Sequence, residues 1–282
     1  MVEVRNELNG VQAARALQLM TVAGRWCSSY GFHTGAAIEA TAMTIAFSAP
    51  AAIGVARLVP AQLVGVWLSV TDDVFDTQLS DRTRLHNLVQ RYDVAAATGR
   101  CADDTDPYES ALVDIVGRLS SLPDYARWKP FWHQQLHTVL REWEWAWRAD
   151  HAQVRPELDE YLSHSSAYGA WPVVIALWMA ASGPEILDPL RESFDHAQTA
   201  LMLTNDLATA DREYEQHTVT NALFLGAEPS RMQHLIADHL LEHKRLAQPH
   251  ADTTAGRIVT RLTDFLIGLQ QIDIHHPEWQ HR

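Results

Sequence analysis

Apolar residues recur at spacings of three and four along nearly the whole chain, and no alternation of β-branched and polar residues is bracketed by Asn-Gly or Asp-Gly turns. The pattern predicts an all-α protein. Helices are expected over about 9–30, 35–48, 60–79, 82–98, 107–121, 125–149, 156–181, 185–215, 218–226, 229–247 and 253–272, ten or eleven in all. Pro60, Pro107, Pro123, Pro156, Pro184, Pro189 and Pro229 stand where helices should begin, with Asp188 before Pro189 as a cap. No linker rich in Gly, Ser or Pro divides the chain and no period of about thirty to fifty residues repeats, so one domain over residues 1–282 is expected. The most apolar stretch, 41–56, contains Pro50 and falls short of the about 20 residues that span a bilayer, which predicts a buried helix pair and no membrane span.

Composition narrows the function classes. The 282 residues carry 22 Lys plus Arg against 35 Asp plus Glu, a net charge of −13, with no basic run longer than a pair, which argues against a nucleic-acid partner. Cys27 and Cys101 are too few for a disulfide framework and lack metal-ligand spacing, which fits a reducing, cytoplasmic setting. Glu3 and Glu7 at the start do not suit a signal peptide, so the mature protein is expected to begin here. Asp103, Asp104 and Asp106 beside Pro107 read as a solvated loop and a helix cap. His133 and His137, like His239 and His243, have metal-binding spacing, but Gln134 stands where a zinc-protease motif needs Glu, and surface histidines are expected.

Two segments carry chemistry. In VWLSVTDDVFD an apolar helix ends in Asp72, Asp73 and Asp76. At about 100° per residue all three lie near one face, Asp72 about 40° and Asp73 about 60° from Asp76. Three carboxylates in a last helical turn oppose the macrodipole and call for a cation. In LTNDLATADRE, Asn205, Thr209 and Glu213 are spaced i, i+4, i+8 and present an amide oxygen, a hydroxyl and a carboxylate along one stripe about 80° wide. Hard oxygen donors of this kind suit Mg²⁺ completed by water and substrate phosphate oxygens, and Arg212 can reach the same anion.

Taken together, these segments resemble the two metal motifs of the class I terpene synthases. Asp72, Asp73 and Asp76 match the aspartate-rich DDxxD motif, and Asn205, Asp206, Thr209, Arg212 and Glu213 match the second motif, (N/D)DxxSxxx(E). Order, separation and chain length resemble the short bacterial single-domain members. The resemblance implies the isoprenoid-synthase helical barrel, with an apolar pocket closed at its mouth by three Mg²⁺ ions on a prenyl diphosphate. It implies metal ligation by Asp72, Asp76, Asn205, Thr209 and Glu213, and catalytic roles for Asp72, Asp73, Asp76, Arg212 and Gly169. It also allows a homodimer. The segment YLSHSSAYGAWPVV resembles the family's broken G helix, in which a backbone carbonyl enters the pocket. Gly169 and Pro172 supply the means of breaking, so Tyr168, Gly169 and Ala170 are expected at the bend.

Pocket residues are expected from the ten tryptophans, with Trp143, Trp147, Trp171 and Trp178 as candidates and Trp145 opposite Trp143 and Trp147 on its helix. Leu68 and Ser69 stand just before the aspartate motif, where many sesquiterpene cyclases carry Phe. His164, Ser165 and Ser166 stand where farnesyl-diphosphate cyclases carry an Arg diphosphate sensor, and the tail HHPEWQHR lacks their C-terminal Arg-Tyr pair. These departures resemble the diterpene synthases that accept a bicyclic copalyl-type (labdadienyl) diphosphate. Acyclic geranylgeranyl or farnesyl diphosphate remains an alternative. Protonation-initiated cyclisation is not expected, because Ser69, Val70 and Thr71 precede Asp72 in place of a DxDD acid motif. A chain-elongating prenyltransferase would normally carry a second aspartate-rich motif where Asn205, Thr209 and Glu213 stand, and a non-catalytic helical scaffold would need neither motif.

Overall fold

The computed structural model describes the backbone of residues 2–77, 79, 81–181, 183 and 188–275, with side chains from Gly10 onward except at 76, 77, 167 and 272–275. Among these residues there are eleven α-helices and no strand. In chain order they are α1 (Val2–Tyr30), α2 (Gly35–Ser48), α3 (Val55–Thr77), α4 (Arg82–Thr98), α5 (Pro107–Ser120), α6 (Tyr125–Ala152), α7 (Leu158–Leu162), α8 (Ala170–Ala181), α9 (Asp188–Glu215), α10 (Pro229–Ala247) and α11 (Thr254–His275). The expected tail and the start of the 185–215 helix fall in 276–282 and 184–187, outside the described residues.

Six of these helices, α2, α3, α6, α8, α9 and α11, surround a central cavity. The short α7 adds Tyr161 to the lining, and the other four pack outside: α1 on α2 and α3, α4 on α6, α5 on α3 and α4, and α10 on α9. One helix, Val55–Phe75, has the length and apolar composition to cross a membrane, and 83% of that window is buried inside the bundle. Leu58, Ala61, Leu63 and Val66 on α3 are all fully buried, as are Val174, Ile175, Leu177 and Trp178 on α8, which packs against it. Burying the Val, Leu and Ile side chains among these stabilises the bundle by roughly 1.5–3 kcal/mol each.

Local chemistry sets the ends. Asp81 caps α4 by accepting from the Thr83 N–H at 2.9 Å, and Asp106 caps α5 by accepting from the N–H groups of Tyr108 and Glu109. The acidic stretch before α5 is thus a cap, and Arg91 neutralises it through Asp103 at 3.4 Å, Asp106 at 2.5 Å and Glu109 at 2.7 Å.

Two expectations are corrected. Helix α3 begins at Val55 and carries Pro60 inside it. The proline withholds one N–H from the Ala56 carbonyl, and Ala56 is exposed, so water can take that bond. The 156–181 span breaks at Gly169, where the bend was expected and where a φ of 75° is one only glycine adopts cheaply, and it divides into α7, a 3₁₀ turn at Ser165–Tyr168 and α8. The expected helix over 218–226 is irregular backbone and turns, with the N–H groups of Val219, Thr220 and Ala222 taken by carboxylates on α6 and α9.

Candidate active site

The cavity encloses about 450 Å³ and has two chemically distinct parts. Its apolar walls include Ile45 on α2, Leu68 and Phe75 on α3, Trp143 on α6, Val173 on α8 and Leu262 on α11. Asp72 near the end of α3 and Asn205, Asp206, Arg212 and Glu213 on α9 supply its polar part, with Gln216, Thr218 and Thr220 from the turns beyond. Helix α3 runs down one wall as Gly65, Leu68, Ser69 and Asp72, steps of three, one and three that keep them on one stripe. Hydroxyls lining the cavity on α2 and α3 are turned back onto their own helices: Thr41 donates to the Ala37 carbonyl, Thr44 to that of Ala40 and Ser69 to that of Gly65.

Of the residues singled out from the sequence, Asp72, Leu68, Ser69, Trp143, Tyr168, Gly169, Ala170, Asn205, Asp206, Arg212 and Glu213 line this cavity. Thr209 stands one turn from Asn205 and Glu213; its hydroxyl approaches the Asn205 carbonyl oxygen at 2.8 Å and Glu213 Oε1 at 2.6 Å. Asp73 does not line the cavity; partial burial holds its carboxyl above the usual range, an effect the Arg212 charge partly offsets. The Asp76 side chain lies outside the described residues.

Three tryptophans expected in the pocket are elsewhere. Trp178 is fully buried against Trp128, with ring centroids 5.5 Å apart. Trp171 packs edge-on against Phe194 and donates to Asp195 Oδ1 at 2.8 Å. Trp147 stacks on His151 and donates to the Leu79 carbonyl, tying α6 to the segment after α3. Trp145, expected to face away, joins the cavity wall by stacking on His164 with centroids 3.9 Å apart. Helical angle alone misassigned it because an indole is long enough to lie across the turn.

The sequence placed Asp206 in the second motif but showed neither its partners nor the part played by Asp150, and these hold this end together. Asp206 is buried, accepts from the Tyr161 hydroxyl at 2.9 Å and from the Ala222 N–H at 3.0 Å, and has its pKa raised to about 7, chiefly by burial. Asp150 on α6 accepts from the N–H groups of Val219 and Thr220 and from the Thr220 hydroxyl, while burial pushes its pKa up. These carboxylates draw residues 218–222 against the end of α9. Asp150, far from residues 219–220 along the chain, has no local sequence signal for this role.

Among the histidines, His133 and His137 both meet Asp93 Oδ1, at 3.0 and 2.9 Å, on the outer surface. His243, expected at the surface, is fully buried, with Nδ1 2.9 Å from the Ser193 hydroxyl.

The donor chemistry fits Mg²⁺. Asp72, Asn205, Thr209 and Glu213 are each half-buried and offer hard oxygens from two helices. Among the described residues, no three His, Cys, Asp or Glu side chains gather as a self-contained cage. Mg²⁺ retains water and substrate phosphate oxygens and needs no such cage.

Comparison with known proteins gives the same direction. A family model described as terpene synthase family 2, C-terminal metal binding, matches residues 64–226. An ent-pimara-9(11),15-diene synthase from Streptomyces sp. (strain KO-3988) is 27% identical over 194 residues, covering 66% of this chain and 64% of that protein's length. A linalool/nerolidol synthase from Streptomyces clavuligerus, solved with 2-fluorogeranyl diphosphate, superposes with a TM-score of 0.72 at 15% identity, over 92% of this chain and 94% of its own. Abietadiene synthase from Abies grandis superposes with a TM-score of 0.68 at 14% identity, over 95% of this chain and 41% of its own. At these identities the two solved structures share the fold.

Proposed function

The chain belongs to the class I terpene synthases, and from that premise we propose that it ionises a prenyl diphosphate with Mg²⁺ and cyclises or rearranges the resulting carbocation. The observation that carries the reading is a single cavity whose one end holds oxygen donors from α3 and α9 and whose remaining walls are apolar. Asp72, Asp76, Asn205, Thr209 and Glu213 are the residues that would hold Mg²⁺. Bound there, Mg²⁺ would supply Lewis-acid stabilisation of the departing diphosphate. Arg212 adds a fixed positive charge beside the same anion as its charge develops.

The rest of the cavity has the opposite task. A carbocation released into it must meet neither water nor a nucleophilic side chain. Phe75 and Trp143, with centroids 5.4 Å apart, offer aromatic faces that stabilise positive charge without attacking it. The Thr41, Thr44 and Ser69 hydroxyls donate to carbonyls of their own helices, which fixes their orientation along the wall. Gly169, at the helix break, brings backbone to the wall where a side chain would otherwise stand.

The substrate is a bicyclic copalyl-type diphosphate and the product a diterpene. Support comes from Leu68 and Ser69 in the α3 wall, from the absence of an Arg at His164, Ser165 and Ser166, and from the similarity to a protein named as a diterpene synthase. Incubation with farnesyl, geranylgeranyl and copalyl diphosphates in Mg²⁺, followed by mass spectrometry of the organic extract, tests both levels. Cyclic diterpene from copalyl diphosphate is expected. No Mg²⁺-dependent product from any of the three would overturn the reading.

A further inference from the structure

Asn221 lies eight residues beyond Glu213, in the turns that stand where a helix was expected, and its side chain is fully buried. Its amide nitrogen donates to two acceptors at once, the Asp206 carbonyl oxygen at 3.0 Å and Glu213 Oε2 at 2.9 Å. Its amide oxygen accepts from the Leu223 N–H at 2.9 Å. A backbone N–H can only donate, so that last bond fixes which end of the amide is oxygen and leaves both amide hydrogens directed at Asp206 and Glu213.

The other oxygen of Glu213, Oε1, faces the Thr209 hydroxyl at 2.6 Å. The carboxylate is therefore held through both oxygens, from its own helix by Thr209 and from the following turns by Asn221. It needs such support. Glu213 stands in the last turn of α9, where the macrodipole disfavours negative charge, and a long half-buried side chain has rotamer freedom to lose. Each carboxylate oxygen has two lone pairs, so one hydrogen bond apiece leaves capacity for a cation.

The turns that carry Asn221 are fixed independently of it. Val219 and Thr220 are bound to Asp150 on α6, and the Ala222 N–H donates to Asp206 Oδ2 at 3.0 Å. The residues immediately before and after Asn221 are thus tied to two different helices.

Resting on the Mg²⁺-dependent reading given above, we infer that Asn221 is a positioning residue, which sets the Glu213 carboxylate in its ligating orientation before the cation arrives. Asn221 does not touch the ion; it acts through Glu213. Partners that orient metal ligands typically account for about 10- to 100-fold in metal affinity.

The test is calorimetric titration of Mg²⁺ into the full chain with inorganic pyrophosphate, for wild type and Asn221→Ala, together with Mg²⁺ dependence of turnover and melting temperature in EDTA. The half-saturating Mg²⁺ concentration is expected to rise at least about tenfold in both assays, with kcat at saturating Mg²⁺ recovering to within several-fold. A lower melting temperature with unchanged Mg²⁺ half-saturation would reduce Asn221 to a structural residue and overturn the inference. If Asn221→Ala does not fold, Asn221→Ser, which keeps a shorter donor, replaces it; an Mg²⁺ shift in the same direction supports the role and wild-type Mg²⁺ dependence removes it. Failure of the wild-type chain to take up Mg²⁺ with pyrophosphate would overturn the cyclase reading itself, and this role with it.

Discussion

The Thr209 hydroxyl lies 2.6 Å from Glu213 Oε1 and 2.8 Å from the Asn205 carbonyl oxygen, so one proton has two acceptors within one helical turn. A cation that takes a lone pair of the same oxygen can leave that proton on either acceptor. Thr209→Ser keeps this arrangement and Thr209→Val removes it at nearly constant shape. The half-saturating Mg²⁺ concentration is expected to rise about 10- to 100-fold for Thr209→Val and to stay within a few-fold of wild type for Thr209→Ser. Equal Mg²⁺ dependence in the two variants would exclude the hydroxyl from the metal site.

Asp72→Ala, Asn205→Ala and Glu213→Ala are each expected to abolish turnover while leaving the helical circular dichroism largely intact. All three side chains line the polar part of the cavity and none belongs to the apolar core. Full activity retained by any two of the three would remove them from the metal site.

Helix type and most boundaries were legible because burial on a bundle imposes a period of 3.6 on the sequence, and the caps at Asp81 and Asp106 are local. The paired motifs were legible for the same reason, since spacings of four on one helix bring oxygens together without reference to the fold. Three of the four candidate pocket tryptophans were misassigned because large aromatics at helical spacing look alike whether they face a cavity or a core. The clamp made by Asp150, Asp206 and Asn221 was invisible, because its hydrogen bonds join α6, α9 and the turns of 218–222, and no periodicity links residues so far apart.

That distinction among tryptophans can be measured. Trp178 is fully buried between Trp128 and Trp171, so Trp178→Ala should cost about 3–5 kcal/mol of stability and lower the melting temperature by roughly 10 °C. Its product profile at low temperature should match wild type. Trp143→Leu, in the cavity wall, should change product ratios or lower kcat/KM at least about tenfold. An altered product profile in Trp178→Ala, with wild-type products from Trp143→Leu, would reverse the assignment.

His243 gives a pH dependence whose sign is fixed. Burial lowers its pKa below the ordinary 6.5, against smaller opposing effects from the Ser193 backbone carbonyl and Asp264 and added lowering from Lys244 and His196. The unfolded state then binds the extra proton first, so stability is full above pH 6.5 and falls as the pH drops below it. Melting curves between pH 7.5 and 5.5 should show the fall, and His243→Gln should flatten it while lowering stability at the upper pH. An unchanged slope in the variant would place the dependence on other groups.

Substrate choice follows from the width of the α3 wall. Between Gly65 and Asp72 the cavity meets Leu68 and Ser69, and the first aromatic residue of α3 in the wall is Phe75. An acyclic prenyl diphosphate must be folded before ionisation, at an entropic cost that a closely contoured wall and firm diphosphate anchoring offset. A bicyclic labdadienyl diphosphate is largely preorganised, needs that width, and contributes apolar contact along its rings. Copalyl-type diphosphate is therefore expected to exceed geranylgeranyl diphosphate in kcat/KM by at least about tenfold, which corresponds to about 1.4 kcal/mol in transition-state binding. Ser69→Phe should narrow the wall at its midpoint and reduce that ratio by lowering kcat/KM for the bicyclic substrate more than for the acyclic one. Equal preference in the wild-type chain, or a ratio untouched by Ser69→Phe, would show that the width of this wall does not select the substrate, and the Mg²⁺-dependent chemistry at Asp72, Asn205 and Glu213 would then have to be matched to an acyclic chain.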